Sequence, residues 1–409
     1  MKRYGLHIDR DGTVLLGDKP FYGFGINLFS SFCYLVDSHY EGREEAFYKE
    51  DLALCRAYDL PLARMLFSTW GANSYRLFDE DPDTFFRLLD LVVAEAEVQH
   101  IGLIASLFWC QDTLPYYVGE KRSAYGNPDS KTVAFAKRYT AAIVDRYKDS
   151  PAIWGWELGN EYNLNADMFI KYALPYEVFK LGDWDQKDYY TSGDARLFYT
   201  VVAETIRKID GYRLITNGNA IMRPHAKYFR HIASPTVAPD AYRQPLPYDT
   251  YDDFCEMNAW FCPEPMDTIS FHFQHATMNS HPPEFRMTHI LGGEMVDTKE
   301  YLDGYIAMGR LLKKAVYYGE FGDFLDMEVR EGAPLDECRK KWKEVLQAML
   351  DSGIQLATGW FNWPWIEGRL DHTLNQVKSY INDVRMPDLK ETNDNFRAKG
   401  LQPVAEYWG

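Results

Sequence analysis

Two glutamates stand where a carboxyl group could do chemistry. Glu161 closes the segment IWGWELGNEYN, and Glu320 lies in AVYYGEFGDF between Gly319 and Gly322. Each follows a short apolar run of strand character. Period two puts Glu157, Gly159 and Glu161 on one face, with Glu161 last. If the two runs are parallel neighbours in one sheet, both carboxyl groups sit at the same rim. A facing pair roughly 5–5.5 Å apart suits retaining hydrolysis of a glycosidic bond: one protonates the leaving oxygen and the other attacks the anomeric carbon. The plainer alternative is that each is a solvated loop residue.

Such a pair needs a scaffold, and the chain repeats one. Eight apolar runs occupy about 22–29, 62–68, 102–108, 153–158, 213–217, 268–273, 315–319 and 355–361. They are near-continuous rather than alternating, as expected of strands covered on both faces. Helix-period stretches follow at 44–58, 84–100, 131–147, 195–209, 298–314 and 335–351. In the second of these, Phe85, Leu88, Leu89, Val92 and Val93 share a stripe, and Asp83 is the expected cap after Pro82. The pattern predicts an α/β (β/α)₈ TIM barrel over 1–409 as a single domain. An N-terminal β-hairpin, GLHIDRDGTVLLGDKP, turns at Asp11-Gly12. Long loops follow the fourth strand (162–194) and the fifth (219–266), on the face where a barrel keeps its site. A doubly wound sheet is the runner-up, but FYGFGINLF holds no GxGxxG.

WELGNE closely resembles the acid/base motif of clan A glycoside hydrolases, especially family 5, and GEFG resembles that family's nucleophile motif. The two motifs are 159 positions apart. The resemblance implies that Glu161 is the general acid/base, Glu320 the nucleophile, and Asn160 a contact to the sugar 2-hydroxyl. Strict alternation would turn Asn160 away from Glu161, so the strand must end there. Arg64 in LARMLFSTW matches the arginine beside the nucleophile, where it would keep Glu320 ionised. A structural salt bridge fits the same position. His272 in ISFHFQHA matches the sixth-strand histidine. Gln274 stands where the family usually has Tyr, and Tyr317 or Tyr318 is the candidate replacement. Trp363 in ATGWFNWPW matches the sugar platform, while Trp360 and Trp365 are packing or neighbouring subsites.

Other positions follow less closely. Trp109 ends the third strand where many cellulases have histidine, which implies a subsite wall closer to mannan- or mannoside-active relatives. Trp70 and Glu367 join the expected substrate-binding set. Asn27 is a candidate structural or subsite contact, and Glu157 a buried structural carboxylate one pleat deeper. Tyr162 replaces a common Pro.

Composition narrows the classes. Aromatic residues make up 16%, with 11 Trp, more than a core requires. Strand mouths and long loops would hold the excess: Trp70, Trp109, Trp184, Trp260 and Trp363. A net charge of −16 argues against nucleic acid and anionic membranes as partners. No apolar run approaches the roughly 20 residues of a membrane span. The start, MKRYGLHIDRDG, has no apolar signal region, so the expectation is cytoplasmic, or secreted if a leader was removed. Six cysteines without a CxxC read as free thiols, against a Cys255–Cys262 bridge or metal pair. His275, His281 and Glu284 form no ligand motif, so neither metal nor cofactor is expected. The substrate expected is a β-linked oligosaccharide or β-glycoside, of mannoside or glucoside type, bound in a pocket. An endo-acting mannanase or cellulase, an inactive sugar-binding relative and a metal-dependent barrel are the alternatives. Sugar identity and oligomeric state are left open.

Overall fold

The computed structural model describes residues 3–168, 186–232, 247–273, 290–291, 294–322, 334–361, 365–366, 369–370 and 385–409. Eight parallel strands close a barrel in sequence order: β1 (Gly23–Leu28), β2 (Leu62–Leu66), β3 (Gly102–Phe108), β4 (Ile153–Gly159), β5 (Leu214–Thr216), β6 (Thr268–Phe273), β7 (Ala315–Phe321) and β8 (Leu356–Gly359). The circle closes where Leu356, Ala357, Thr358 and Gly359 of β8 pair with Gly23, Phe24, Gly25 and Ile26 of β1. All eight expected runs are strands, with ends trimmed by at most two residues, while β4 and β7 run one and two residues further than expected.

The strands' residues are all buried, but for two different reasons. One alternating set faces outward and is apolar: Phe24 and Ile26, Ala63 and Met65, Leu103 and Ala105, Trp156 and Leu158, Ile269 and Phe271, Val316 and Tyr318. These pack under the surrounding helices, among them Lys131–Tyr147, Ser192–Ile209 and Thr298–Leu312. The other set points into the barrel and changes character along the axis. At the N-terminal end it is apolar: Leu62, Ile104, Leu214, Tyr317 and Leu356 cluster with Leu6, Val14, Leu16 and Phe21 of the N-terminal hairpin, which plugs that end. Toward the C-terminal end it becomes polar and stays buried, with Asn27, Arg64, Ser106, Glu157, Thr216, Ser270, His272 and Thr358. Buried polar groups at one end of a barrel must satisfy one another, and that requirement builds the site.

Three local readings are corrected. The cap of helix Pro82–Gln99 is Asp81, whose side chain accepts from the Thr84 N–H; Pro82 opens the helix and leaves Asp83 inside its first turn. The hairpin loop is wider than a two-residue turn. Ile8 pairs with Val14, and the Asp9 carboxylate accepts from the N–H groups of Asp11 and Thr13 while Gly12 takes φ +86°. Helices Ser31–Tyr40, Asn73–Glu80, Tyr251–Trp260 and Arg385–Ala398 were not anticipated. Cys33, Cys55, Cys110, Cys255 and Cys262 are free thiols, so no Cys255–Cys262 bridge forms. Among the described residues no helix is long and apolar enough to cross a membrane.

Candidate active site

Glu161 is placed by the backbone rather than by strand alternation. β4 ends at Gly159, and Glu161 adopts φ 58°, ψ 28°, a left-handed conformation that costs a non-glycine residue about 1 kcal/mol or more. Its N–H donates to Gly218 O at 2.8 Å. Gly218 follows β5 at φ +68°, and a Cβ there would lie 1.8 Å from Gly159 O, so only glycine allows this approach. The next turn is stitched by Asn163. Its amide donates to Ala220 O (3.1 Å) and Ile221 O (2.9 Å), and accepts from the Ala220 N–H. Ile221 N–H in turn donates to His272 O. The ends of β4, β5 and β6 are thereby locked together, and Glu161 sits on the locked turn.

Glu320 is placed by a bulge. On the β6 side Tyr318 pairs with Phe271, yet Glu320 pairs with His272, leaving Gly319 as the extra residue. The pairing with β8 slips over the same span. Gly319 O accepts from Asn27 Nδ2 and Thr358 Oγ1. A Cβ at 319 would come within 2.6 Å of His272 Nε2, so the glycine also makes room for the imidazole.

Arg64 joins the parts. Its Nε donates to both oxygens of Glu157 at 2.8 and 2.9 Å. Nη1 donates to Asn27 Oδ1 (3.0 Å) and Glu320 Oε1 (2.6 Å); Nη2 donates to Asn160 Oδ1 (2.8 Å). Trp109 lies under the guanidinium at 4.4 Å. Both Arg64 and Glu157 side chains are fully buried.

His272 bridges the two carboxylates, with Nδ1 3.0 Å from Glu161 Oε1 and 3.5 Å from Glu320 Oε1. One ligand-type atom from each of the three residues lies within 4.8 Å of the others. One carboxyl oxygen of Glu161 thus lies within 4.8 Å of one of Glu320. Among the described residues this is the cluster that could hold a metal ion. Arg64 already supplies a positive charge at Glu320.

Burial decides the protonation states. Glu161 is pushed up to about 7 by desolvation, opposed by Arg64. Its side chain retains 34% exposure, so the carboxyl is crowded yet open to an incoming molecule. Glu320 is also raised, chiefly by burial. Arg64 and an imidazolium at His272 would both oppose that rise, but His272 itself is driven down to about 3 by burial. The imidazole is therefore neutral near pH 7, and Arg64 is the cation that counts. Arg64, expected to keep Glu320 ionised, opposes the rise that desolvation causes. Nδ1 is the ring nitrogen that faces both carboxyl groups. Nε2 is buried without a hydrogen-bond partner among the described residues.

No family model matches the chain. Probable mannan endo-1,4-β-mannosidase F of Aspergillus flavus is 40% identical over 141 residues, 28% of this chain and 30% of that protein. The chain spans 27% to 35% of the length of this and two other curated relatives it matches. The endo-1,4-β-mannanase of Rhizomucor miehei superposes with a TM-score of 0.58 at 17% identity, covering 95% of this chain and 99% of that one. A family 5 mannosidase from the same organism gives 0.59 at 13% identity, over 99% and 98%. This chain resembles glycoside hydrolase family 5. The superpositions establish the barrel, and the aligned relatives bear the names the motifs suggested.

Against the family 5 resemblance, the structure brings Glu161, Glu320, Asn160, Arg64 and His272 into one cluster. Trp363, Glu367 and Gln274 lie outside the described residues, as do His275, His281, Glu284 and Trp184. Neither tyrosine of β7 offers its hydroxyl to Glu320: Tyr318 donates to Phe273 O at 2.8 Å, and Tyr317 pairs with Thr358 Oγ1 at 2.5 Å. Trp109, the expected subsite wall, lies against the guanidinium of Arg64. It is 2% exposed and packed between Arg64 and Trp360, which stacks in turn on Phe29. Trp70 meets Trp109 edge-on and is the less buried of the two. Trp260 lies in the long connection between β5 and β6, at the end of helix Tyr251–Trp260, where it packs on Arg196 and Arg230.

Sequence reasoning missed Gly319 and Gly218 as site-builders and underrated Asn27. The Gly-Glu pair at 319–320 and the Asn-Gly-Asn run at 217–219 were the available signals. A glycine beside a strand-end carboxylate marks a bulge, and a glycine after a strand marks a left-handed exit.

Proposed function

We propose that this chain hydrolyses β-glycosidic bonds with retention of configuration, and that its substrates are β-mannoside-type oligosaccharides or glycosides. The observation that carries the reading is the Glu161–His272–Glu320 cluster, two carboxyl groups from the ends of β4 and β7 that meet at one imidazole. Glu161, protonated below about pH 7, donates its proton to the glycosidic oxygen. Glu320 attacks the anomeric carbon from the opposite face as the C–O bond breaks. Glu161, now a carboxylate, takes a proton from water, and the hydroxide released to the anomeric carbon displaces Glu320. Arg64 steadies the charge on Glu320. It also holds the Asn160 carbonyl, which leaves the Asn160 NH₂ to donate to the sugar 2-hydroxyl.

The mannoside preference is supported by the printed names of the relatives, endo-1,4-β-mannosidases and a mannosidase. The endo names favour a second reading, cleavage within β-1,4-mannan. Product profiles on a manno-oligosaccharide series separate the two: single sugars from one end, or mixed fragments. Free thiols at the five described cysteines support a reducing compartment.

Aryl β-mannoside, β-glucoside, β-xyloside and β-galactoside provide the test. Fastest turnover is expected on the mannoside, with the β-anomer released first and chelators without effect. Glu320→Gln should lose turnover by at least about 10⁴-fold. Full activity in that variant would sink the assignment; binding without turnover in the wild type would leave a sugar-binding protein.

A further inference from the structure

An arginine that pairs with a carboxylate ordinarily presents two nitrogens to its two oxygens, a fork closed along one edge. Arg64 does not pair with Glu157 in this way. Both Glu157 oxygens converge on the single Nε–H, at 2.8 and 2.9 Å. Both Nη groups are left for other partners, Nη1 for Glu320 and Asn27 and Nη2 for Asn160.

Glu157 is equally constrained. It lies in the middle of β4, fully buried, with Ser106 and Thr216 as its register partners on β3 and β5. Gly218 packs against its side chain, since a Cβ there would come within 2.9 Å of Glu157 Cδ and Cγ. Trp109 closes the guanidinium's face. Glu157 reaches neither the opening nor Glu320; whatever it does for the reaction passes through Arg64.

We propose that Glu157 is a positioning residue which, by occupying Nε alone, divides Arg64 between Glu320 and Asn160. This inference rests on the hydrolytic reading above. Without the Glu157 charge, the guanidinium can fork onto Glu320 with two nitrogens. Glu320 then becomes a more firmly held and less basic anion, and Asn160 loses the donor that orients its amide. Two properties with no direct contact to Glu157 should change together: the ionisation of the nucleophile and the recognition of the 2-hydroxyl.

The test compares Glu157→Gln and Glu157→Asp in the full chain, with kcat and KM measured against pH on an aryl β-mannoside and its 2-deoxy analogue. Glu157→Gln keeps the shape and removes the charge. Its acid limb should move down by about one pH unit, with kcat falling about tenfold or more. Its preference for the 2-hydroxyl substrate should shrink, and Asn160→Ala should add little further loss. Glu157→Asp keeps the charge but withdraws the carboxylate by one methylene, so the 2-hydroxyl preference should shrink while the acid limb stays. This second variant carries the test if the first does not fold. A purely structural Glu157 would lower melting temperature and active fraction at every pH alike. An unmoved 2-hydroxyl preference in either folded variant, or an unmoved acid limb in Glu157→Gln, overturns the proposal. Glu161→Gln and Glu320→Gln are run alongside: if they retain turnover, the hydrolytic reading itself fails.

Discussion

His272 Nδ1 lies 3.0 Å from Glu161 Oε1, and the imidazole is neutral because burial holds it down to about 3. A neutral imidazole can hydrogen-bond either protonation state of its carboxyl neighbour without adding charge. The pH dependence of hydrolysis should therefore show no limb from this histidine. Glu161 is in its acid form below about 7 and loses it as pH rises through that value. Glu320 must be ionised, and its raised value puts the acid limb above the ordinary carboxylate range. A narrow bell in kcat/KM is expected, with its alkaline limb near 7. In Glu161→Ala that limb should vanish on a substrate with a good leaving group. An alkaline limb that persists there assigns the proton to another residue.

The same shift has a cost in stability. A carboxyl whose value is raised on folding binds its proton more tightly in the folded chain than in the unfolded one. Its contribution is fully present below the unfolded value, near 4.5, and is lost as pH rises to about 7. Glu161→Gln removes the titration. The variant should gain melting temperature relative to wild type across that interval and hold the gain above it. Parallel thermal-melt profiles of the two proteins would contradict the direction.

Gly319 predicts a change that is local and kinetic. In Gly319→Ala the added methyl meets His272 Nε2 at 2.6 Å and Ser270 Oγ at 2.9 Å, inside a packed barrel. Overpacking of this kind costs about 1–3 kcal/mol, and the bulge that aims Glu320 must shift with it. A fall in kcat of about 100-fold is expected, with KM changed far less. Steady-state kinetics beside a denaturant titration would show whether catalysis falls further than stability explains.

The opposite end of the barrel should behave in the opposite way. Leu6 is fully buried in the hairpin plug, against the Leu62, Ile104 and Leu214 layer. Leu6→Ala should cost about 2–5 kcal/mol of stability. Because the plug touches no member of the polar cluster, kcat at a temperature well below unfolding should stay within twofold of wild type.

Much of this was legible in the residues. Eight apolar runs separated by helix-period stretches specify a barrel because a strand buried on both faces cannot tolerate charge along most of its length. Glu161 and Glu320 stood out because each is a carboxyl at the end of such a run. What the runs concealed was their inner face. Arg64 and Glu157 sit inside apparently apolar strands, and only closure of the barrel shows them meeting, from β2 and β4. Spacing could say that Arg64 approaches Glu320; it could not say that Glu157 takes Nε and leaves the rest of the guanidinium to be shared.

Direction was likewise decided in three dimensions. Period two placed Glu161 at the mouth, and Asn160 beside it required the strand to be ending there, but neither said which way the turn would go. β4 stops at Gly159, and Glu161 turns on a left-handed backbone tied to Gly218 O. Glu320 is aimed by the Gly319 bulge, and Trp109 is drawn under Arg64. The sequence determined the strand order and the kinds of side chain at the rim, because periodicity and residue type are local properties. The tertiary structure decided which of those side chains touch, how deeply each is buried and which of them keep a proton, because desolvation and pairing depend on residues far apart in the chain.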